Sequence, residues 1–534
     1  MLRREFFRTP LLAVGATLPL ASVHGEGTAV YDVRRFGAHP DGKTLCTVAL
    51  QRAVDAAYRA GGGLVYVSPG VYLTGNVELK SRVCLYLEAG SVLLGSTRIE
   101  DYTEQAGAVS GADANGRHLL YARKAEDVSL CGMGRIDGQG EHFWKRVNRR
   151  PIAPEDLWKD VITYDYAPAD GNKRPSPMIE FAECRNVHVS LLTIQNSAGW
   201  TLRLVACDSV TVQGIKLRNP IYGVNTDGID VTASRNVVIT GCDIRTGDDA
   251  ICLKSENPYS DLSLTKNVVV SNCVITTSCN GFKIGTGTQG RFENIVFTNS
   301  VIYNDATSPL NARVIGGVCV EMVDGGIIDG VTVSDVRMAN VRTPVFVRLA
   351  TRKRSGATAL SNVSIRGIDA SGALLTSSIT GLPETRVADV TISDCSFRTT
   401  EDSRGAQIVP ELPSDYPEPR MFGRLPAYGL YVRHTDRLRV RNVEFISSVT
   451  TERPAVICDD VEDAILDGIE ATPSSVSPLI QVQDARKLFL TRTRLKEPGH
   501  TLLLTSGTCQ QIQVAGNALM DQQREIVSKR AGDR

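Results

Sequence analysis

A short phrase, two polar residues followed by Val-x-Val or a close variant, recurs along the chain. It reads Arg185-Asn186-Val187-His188-Val189, Asp208-Ser209-Val210-Thr211-Val212, Arg235-Asn236-Val237-Val238-Ile239, Lys266-Asn267-Val268-Val269-Val270 and Glu293-Asn294-Ile295-Val296-Phe297. The central apolar positions, 187, 210, 237, 268 and 295, are separated by 23, 27, 31 and 27 residues. The phrase returns at Val331, Val363, Val390, Leu438, Ala464, Leu488 and Ile512, almost to the end of the chain. Within a unit the apolar residues alternate, as in Val187/Val189 and then Leu192/Ile194, and a period of two marks strands rather than helices. A unit of about two dozen residues, with Asn, Asp and Gly at its corners, cannot bury its apolar face alone, so units must stack into a continuous core. The pattern therefore predicts an all-β solenoid, a parallel β-helix. A leucine-rich repeat would need its own Leu spacing and a helical arm, and neither is present.

One segment departs from this period. Thr47 to Ala60 places Leu50, Val54, Ala57 and Tyr58 at helical spacing and ends at Gly61-Gly62-Gly63, which predicts a short amphipathic helix. An N-terminal cap over about residues 27–100 is expected to contain it, because a solenoid's first coil would otherwise expose apolar core and an unpaired strand edge. Two interruptions, about Gly140 to Pro177 and Thr399 to Arg433, are rich in Pro, Tyr and Arg and are expected to wall a groove. The β-helix is expected to fill residues 27–520, followed by a polar tail at 521–534. Residues 1–26 read as a leader: Arg3-Arg4-Glu5-Phe6-Phe7-Arg8 precedes an apolar stretch from Leu11 to Ala21 that is too short to span a bilayer. The paired arginines resemble a twin-arginine export signal, which predicts a periplasmic or secreted protein without stable membrane association.

Charge narrows the partners. Lys+Arg and Asp+Glu both number 59, for a formal net charge of zero, so no overall basic field draws in nucleic acid, and an acidic substrate must be held locally. Thirteen cysteines are scattered singly, without C-x-x-C pairs or histidine partners. Several, such as Cys184, Cys207, Cys242 and Cys273, fall at repeat-like positions where a small buried hydrophobe serves. No metal site and no cofactor is predicted, and a capped solenoid with one groove needs no partner, so a monomer is expected.

Candidate chemistry concentrates on consecutive coils. Asn225-Thr226-Asp227-Gly228-Ile229-Asp230, Gly247-Asp248-Asp249-Ala250-Ile251 and Cys279-Asn280-Gly281-Phe282-Lys283-Ile284-Gly285 follow one another, with Asn196-Ser197-Ala198-Gly199-Trp200 upstream. Any one of these is an ordinary turn sequence. Together, at close to one coil's separation, they should set Asp227, Asp248, Asp249 and Asn280 on neighbouring rungs of one face. Like charges stacked in this way repel and raise one another's pKa. Such a cluster can supply the acid and the base of inverting glycoside hydrolysis, whose carboxyl groups usually lie about 6.5–9.5 Å apart.

On these residues the chain resembles glycoside hydrolase family 28, the polygalacturonase family, over nearly its full exported length. The resemblance rests on Asn-Thr-Asp-Gly-Ile-Asp, Gly-Asp-Asp, Asn-Ser-x-Gly-Trp and the upstream Ile136-Asp137-Gly138-Gln139-Gly140. The opening from Gly37 to Gly95 and the segment Tyr416 to Gly423 resemble bacterial members. The resemblance implies a right-handed, single-stranded, pectin-lyase-like β-helix that hydrolyses a pectic polysaccharide or oligosaccharide with inversion. It further implies Asp248 as general acid and Asp227 with Asp249 as the pair that orients and deprotonates water. Asn225, Asn280, Lys254, Lys283 and Trp200 are the expected substrate-binding residues, with Lys254 either holding a substrate carboxylate or balancing the acids. Tyr428 is a second candidate stacking platform, and Glu256, Arg174 and Asn196 are candidate supporting groups. Two departures bear on the substrate. The family's Gly-His-Gly is here Cys279-Asn280-Gly281, and its Arg-Ile-Lys is absent from Val318-Cys319-Val320-Glu321-Met322. Losing that basic pair weakens the grip on a uronate and Glu321 would repel one, so Lys283 or Arg313 must compensate or the enzyme cuts another pectic linkage. The alternatives are a non-catalytic glycan-binding β-helix and a calcium-dependent polysaccharide lyase.

Overall fold

The computed structural model describes residues 29–105, 115–171, 173–353, 357–400, 405, 408–495, 500–518 and 524–528. The leader expected at residues 1–26 lies outside them. The described residues form a right-handed parallel β-helix, in which the coils join through parallel pairing into one wrapped sheet of 38 strands. The recurring phrase is the corner of each coil. Its second polar residue adopts a positive φ, as at Asn186, Ser209, Asn236, Asn267, Asn294, Asn362, Asp389, Arg437, Asp463, Lys487 and Gln511. Asparagine tolerates that conformation, and its side chain adds a ladder between coils: Asn267 donates to Asn236, and Asn294 to Asn267, each at 2.9 Å. The following Val-x-Val points both apolar residues inward, and Val187, Val189, Val210, Val212, Val237 and Ile239 are all buried in one continuous core.

The cap contains the helix α1 (Thr47–Arg59), which buries Ala49, Leu50, Ala53, Val54 and Ala57. Tyr58 was expected on that apolar face but is exposed, and it instead carries the Lys80 ammonium over its ring. At the other end, Arg524–Ser528 is a strand paired in parallel with Thr501–Ser506, so the segment predicted as a polar tail contributes another rung, supplied by the apolar pair Ile526-Val527. All thirteen cysteines are free thiols. Cys184, Cys207, Cys242 and Cys273 are buried with their side chains turned to backbone carbonyls.

The strands that position the site form one stack: β1 (Ile179–Ala182), β2 (Leu202–Val205), β3 (Ile229–Thr232), β4 (Ile251–Lys254), β5 (Asn280–Ile284), β6 (Gly316–Met322) and β7 (Thr343–Leu349). Their register aligns Glu180, Arg203, Asp230, Cys252, Lys283, Cys319 and Phe346 in one column. Their neighbours Ile229, Val231, Ile251, Leu253, Phe282, Ile284, Val318 and Val320 fill the core, so the column faces outward. The first interruption folds into short 3-10 turns and a hairpin pairing Trp144–Arg146 with Tyr166–Pro168. The second ends at Leu430, where the next strand begins, and its described part packs across the outward column.

Candidate active site

Three loop-to-strand junctions bring the acids together. Thr201 N–H donates to the Asp227 carbonyl, Gly228 N–H to the Asp249 carbonyl and Ala250 N–H to the Asn280 carbonyl, so Asp227, Asp249 and Asn280 stack on consecutive coils at the entrances to β3, β4 and β5. Gly228 and Gly247 permit this spacing, since a Cβ on either would lie within 2.5 Å of a backbone oxygen of the adjacent coil or turn. Asp248 sits beside the stack, half-buried, with its Oδ1 accepting the Asp249 N–H at 2.8 Å. Ligand atoms of Asp248, Asp249 and Cys279 all lie within 4.8 Å of one another. Asp249 is already ion-paired to Lys283 at 3.1 Å, and the thiol is a poor partner for a hard, oxygen-seeking cation.

Electrostatics separates the carboxyls. Burial opposes ionisation of Asp249 most strongly. Even so, the Lys283 ammonium 3.1 Å away, the Lys254 ammonium and a 2.8 Å hydrogen bond from Asn280 Nδ2 hold it below the usual carboxylate range. Asp248 is pushed up to about 7 by burial and then by the Asp249 charge. Asp227 is raised well above its ordinary value by burial and by Asp248, Asp230 and Asp249. The site thus holds an ionised carboxylate beside protonated carboxyls, a division of roles that acid–base catalysis requires.

Several residues expected to touch substrate support the acids instead. Asn280 is fully buried and bridges coils, donating to Asp249 while its Oδ1 accepts the Cys319 thiol at 3.3 Å. Lys283 is 1 % exposed and is locked between Asp249 and Glu321. Trp200, 8 % exposed, is too enclosed to stack on a sugar and carries the Lys254 ammonium and the Arg203 guanidinium over its ring at 5.2 and 5.5 Å. The Lys254 charge acts on Asp227, Asp230 and Asp249, opposing the effect of burial on each. Asn225 is half-buried, and its Oδ1 accepts Arg174 Nη2 at 3.0 Å; Arg174 also donates to the Ala198 and Val224 carbonyls, which makes it the anchor of this junction. Tyr428 is a packing residue, buried with its hydroxyl on the Phe445 and Thr472 carbonyls. Arg313 donates to its own loop at Ser308 and Ala306 and does not replace the missing basic pair. Asn196 holds Asp137 at 3.0 Å, upstream of the cluster.

Two acids and one aromatic enlarge the site beyond the predicted set. Asp230, whose alternation with Ile229 and Val231 marks it as outward-facing, is fully buried with neither oxygen hydrogen-bonded, and burial pushes it up to about 7. Tyr416, from the second interruption, lies over Lys283, with the ammonium 5.4 Å from its ring centre and 3.5 Å from its hydroxyl. Glu321 is buried with no hydrogen bond to either oxygen, and burial pushes it up to about 8 although Lys283 lies 3.8 Å away. That contact is too long to offset desolvation, because the ammonium is committed to Asp249. A raised folded-state pKa means that the stability Glu321 contributes is present at low pH and is lost as pH rises from about 4.5 through about 8. Glu321→Gln is therefore expected to match the parent in urea denaturation near pH 5 and to exceed it by on the order of 2 kcal/mol near pH 9. Equal stabilities at both pH values would show that Glu321 ionises freely.

The family model described as glycosyl hydrolases family 28 matches residues 88–403, and one described as rhamnogalacturonase A/epimerase, pectate lyase-like, matches residues 30–119. A "probable polygalacturonase" of Vitis vinifera is 33% identical over 230 residues, which are 41% of this chain and 43% of that protein. The chain thus spans less than half of that relative's length. An endo-polygalacturonase of Pectobacterium carotovorum subsp. carotovorum is 25% identical over 320 residues, 59% of this chain and 74% of that one. Among solved structures, an exopolygalacturonase from Thermotoga maritima superposes with a TM-score of 0.58 at 22% identity, covering 77% of this chain and 91% of that one. A family 28 exopolygalacturonase of Yersinia enterocolitica gives 0.54 at 18%, covering 86% and 78%.

Proposed function

The chain belongs to glycosyl hydrolases family 28, and from that premise we propose that it hydrolyses a glycosidic bond in a pectic polysaccharide or oligosaccharide. The observation that carries the proposal is the geometry of the pair: Asp248 Oδ1 accepts the Asp249 N–H at 2.8 Å, and the Asp249 carboxylate is ion-paired to Lys283 at 3.1 Å, so a charge partner favours ionisation of Asp249 beside an Asp248 that burial and the Asp249 charge push up to about 7. In this reading Asp248 protonates the leaving oxygen and Asp249 removes the proton from the attacking water. Asp227 orients that water as a hydrogen-bonding partner, since its raised pKa suits it poorly to act as a second anion. Positioned acid–base groups of this kind typically contribute about 100- to 10,000-fold each.

Inversion is part of the proposal and rests on the family. The closest oxygens of Asp248 and Asp249, within 4.8 Å, approach more nearly than the carboxyl groups of most inverting enzymes, at about 6.5–9.5 Å. Export through the Arg3-Arg4 leader would place the enzyme where pectic polymers are met.

The test is incubation of the purified protein with polygalacturonan, methyl-esterified pectin and rhamnogalacturonan. Reducing ends should appear without the ultraviolet absorbance of an unsaturated product, and proton NMR should find the first product with its anomeric configuration inverted. An absorbing product would establish a lyase. Binding without turnover on every polymer would establish a glycan-binding protein.

A further inference from the structure

The first interruption carries a concentration of positive charge that the acid–base reading leaves unused. Trp144-Lys145-Arg146-Val147-Asn148-Arg149-Arg150 holds four cations and no acid, in a chain whose formal net charge is zero. Arg146, Asn148, Arg149 and Arg150 line an open cavity of about 330 Å³ together with Asn311 from a neighbouring turn, a size within the range of ligand pockets, about 300–1,000 Å³. Asp160 and Asp165 line it as well, and both are engaged by one arginine. Asp160 takes Arg149 in a bidentate pair at 2.7 and 2.8 Å, and Asp165 accepts from it at 3.3 Å. Arg146 and Arg150 are exposed and, among the described residues, enter no ion pair. The cavity therefore offers two uncommitted guanidinium groups beside a third that is fixed in place.

This cavity is built onto the catalytic coils. Trp144 Nε1–H donates to the Ala198 carbonyl and the Thr163 hydroxyl to the Gly223 carbonyl, each at 2.7 Å. Tyr166, opposite Arg146 in the hairpin, stacks on Tyr222 with ring centres 5.1 Å apart. Tyr222 and Gly223 belong to the turn that leads into Asp227. Val161, next to Asp160, packs in a small buried cluster with Cys279 and Ile315, and the Cys279 thiol has oxygens of Asp248 and Asp249 within 4.8 Å. Arg149 is thus tied through Asp160 and Val161 to the wall of the acid cluster. Within the outward column, by contrast, Lys283 is engaged by Asp249 and Arg203 by Glu180, and Glu321 adds a carboxyl on the coil after Lys283.

We propose that the cavity of Arg146, Arg149 and Arg150 is a subsite for a carboxylate-bearing sugar of the pectic chain, held to one side of the scissile bond, and that Arg146 and Arg150 set a preference for the free acid over its methyl ester. A guanidinium fork matches a carboxylate in charge and in shape, and esterification removes the charge. The inference rests on the hydrolase reading for the identity of the sugar chain, and equilibrium binding tests it apart from turnover. Isothermal titration calorimetry at low ionic strength compares an oligogalacturonate with its methyl ester, on the full-length Asp248→Asn protein and on the same protein carrying Arg146→Gln and Arg150→Gln. Both added substitutions fall on exposed side chains, and far-ultraviolet circular dichroism checks that the fold is kept. The first protein should bind the free acid about tenfold more tightly than the ester, the yield of two exposed charge pairs, and the second should bind the two alike. A preference that survives the double substitution, or no preference at the outset, would overturn the proposal. Inorganic phosphate is the second titrant: displacement of the oligogalacturonate by phosphate at equal concentration would make the cavity a site for small anions and remove the sugar assignment. Reducing ends released by the unmodified protein are assayed in parallel. Their absence from every pectic substrate, with the binding preference present and lost on double substitution, would remove the hydrolase reading and keep the subsite.

Discussion

Asp248→Asn is expected to lower kcat/KM by about 100- to 10,000-fold, the loss that follows removal of a positioned general acid, while leaving the fold unchanged. The amide oxygen can still accept the Asp249 N–H that Asp248 Oδ1 accepts at 2.8 Å. The two threonine hydroxyls that brace this junction, from Thr246 and Thr277, bond the Asp248 main-chain carbonyl and do not depend on the side chain. Asparagine has no acidic proton to give the leaving oxygen, so the step that slows is the chemical one. The same assignment fixes the pH dependence of the parent. Asp248 titrates at about 7, so its proton is present below that value and is lost above it, and activity should fall as pH rises through about 7. Asp249, held low by Lys283 and Lys254 against its burial, stays ionised at mildly acid pH, so activity should persist there. Initial rates against pH, with near-ultraviolet circular dichroism of the variant, check both. Parent-like activity in the variant would remove Asp248 from the mechanism.

The second large effect is expected at a residue that does not reach the substrate. Lys283→Met should destabilise the protein by about 3–5 kcal/mol, the usual cost of stripping one partner from a buried ion pair, and should also sharply reduce activity at neutral pH. Lys283 is enclosed by Asp249, Glu321 and Tyr416. Without its charge Asp249 would retain a proton to higher pH and lose its capacity as a base. Urea midpoints and initial rates separate the two consequences. Adding Asp249→Asn to Lys283→Met should recover part of the lost stability, because no anion is then left buried, and should recover no activity. A purely packing role for Lys283 would appear as lost stability that the second substitution does not restore.

The solenoid was legible in the chain because its determinants are local. A left-handed corner residue followed by two inward apolar residues is a short-range requirement, and it must be met afresh in every coil, so it surfaces as Arg185-Asn186-Val187-His188-Val189 and its repeats. Coil spacing alone set Asp227, Asp249 and Asn280 in one stack, because parallel register converts a separation of about one coil into adjacency. What those residues do was decided only by tertiary packing. Asn280 reads in the chain as a groove residue, but the insertion seated on β6 and the Cys319 thiol beside it leave it buried and facing Asp249. Trp200 reads as a sugar platform, but Lys254 and Arg203 occupy its face. Tyr416 lies 133 residues from Lys283, and no periodic signal links an irregular crossover to the rung it covers. Composition and spacing determine which carboxyls meet. Burial and the positions of neighbouring charges determine which of them keeps its proton, and both quantities exist only once distant segments have packed together.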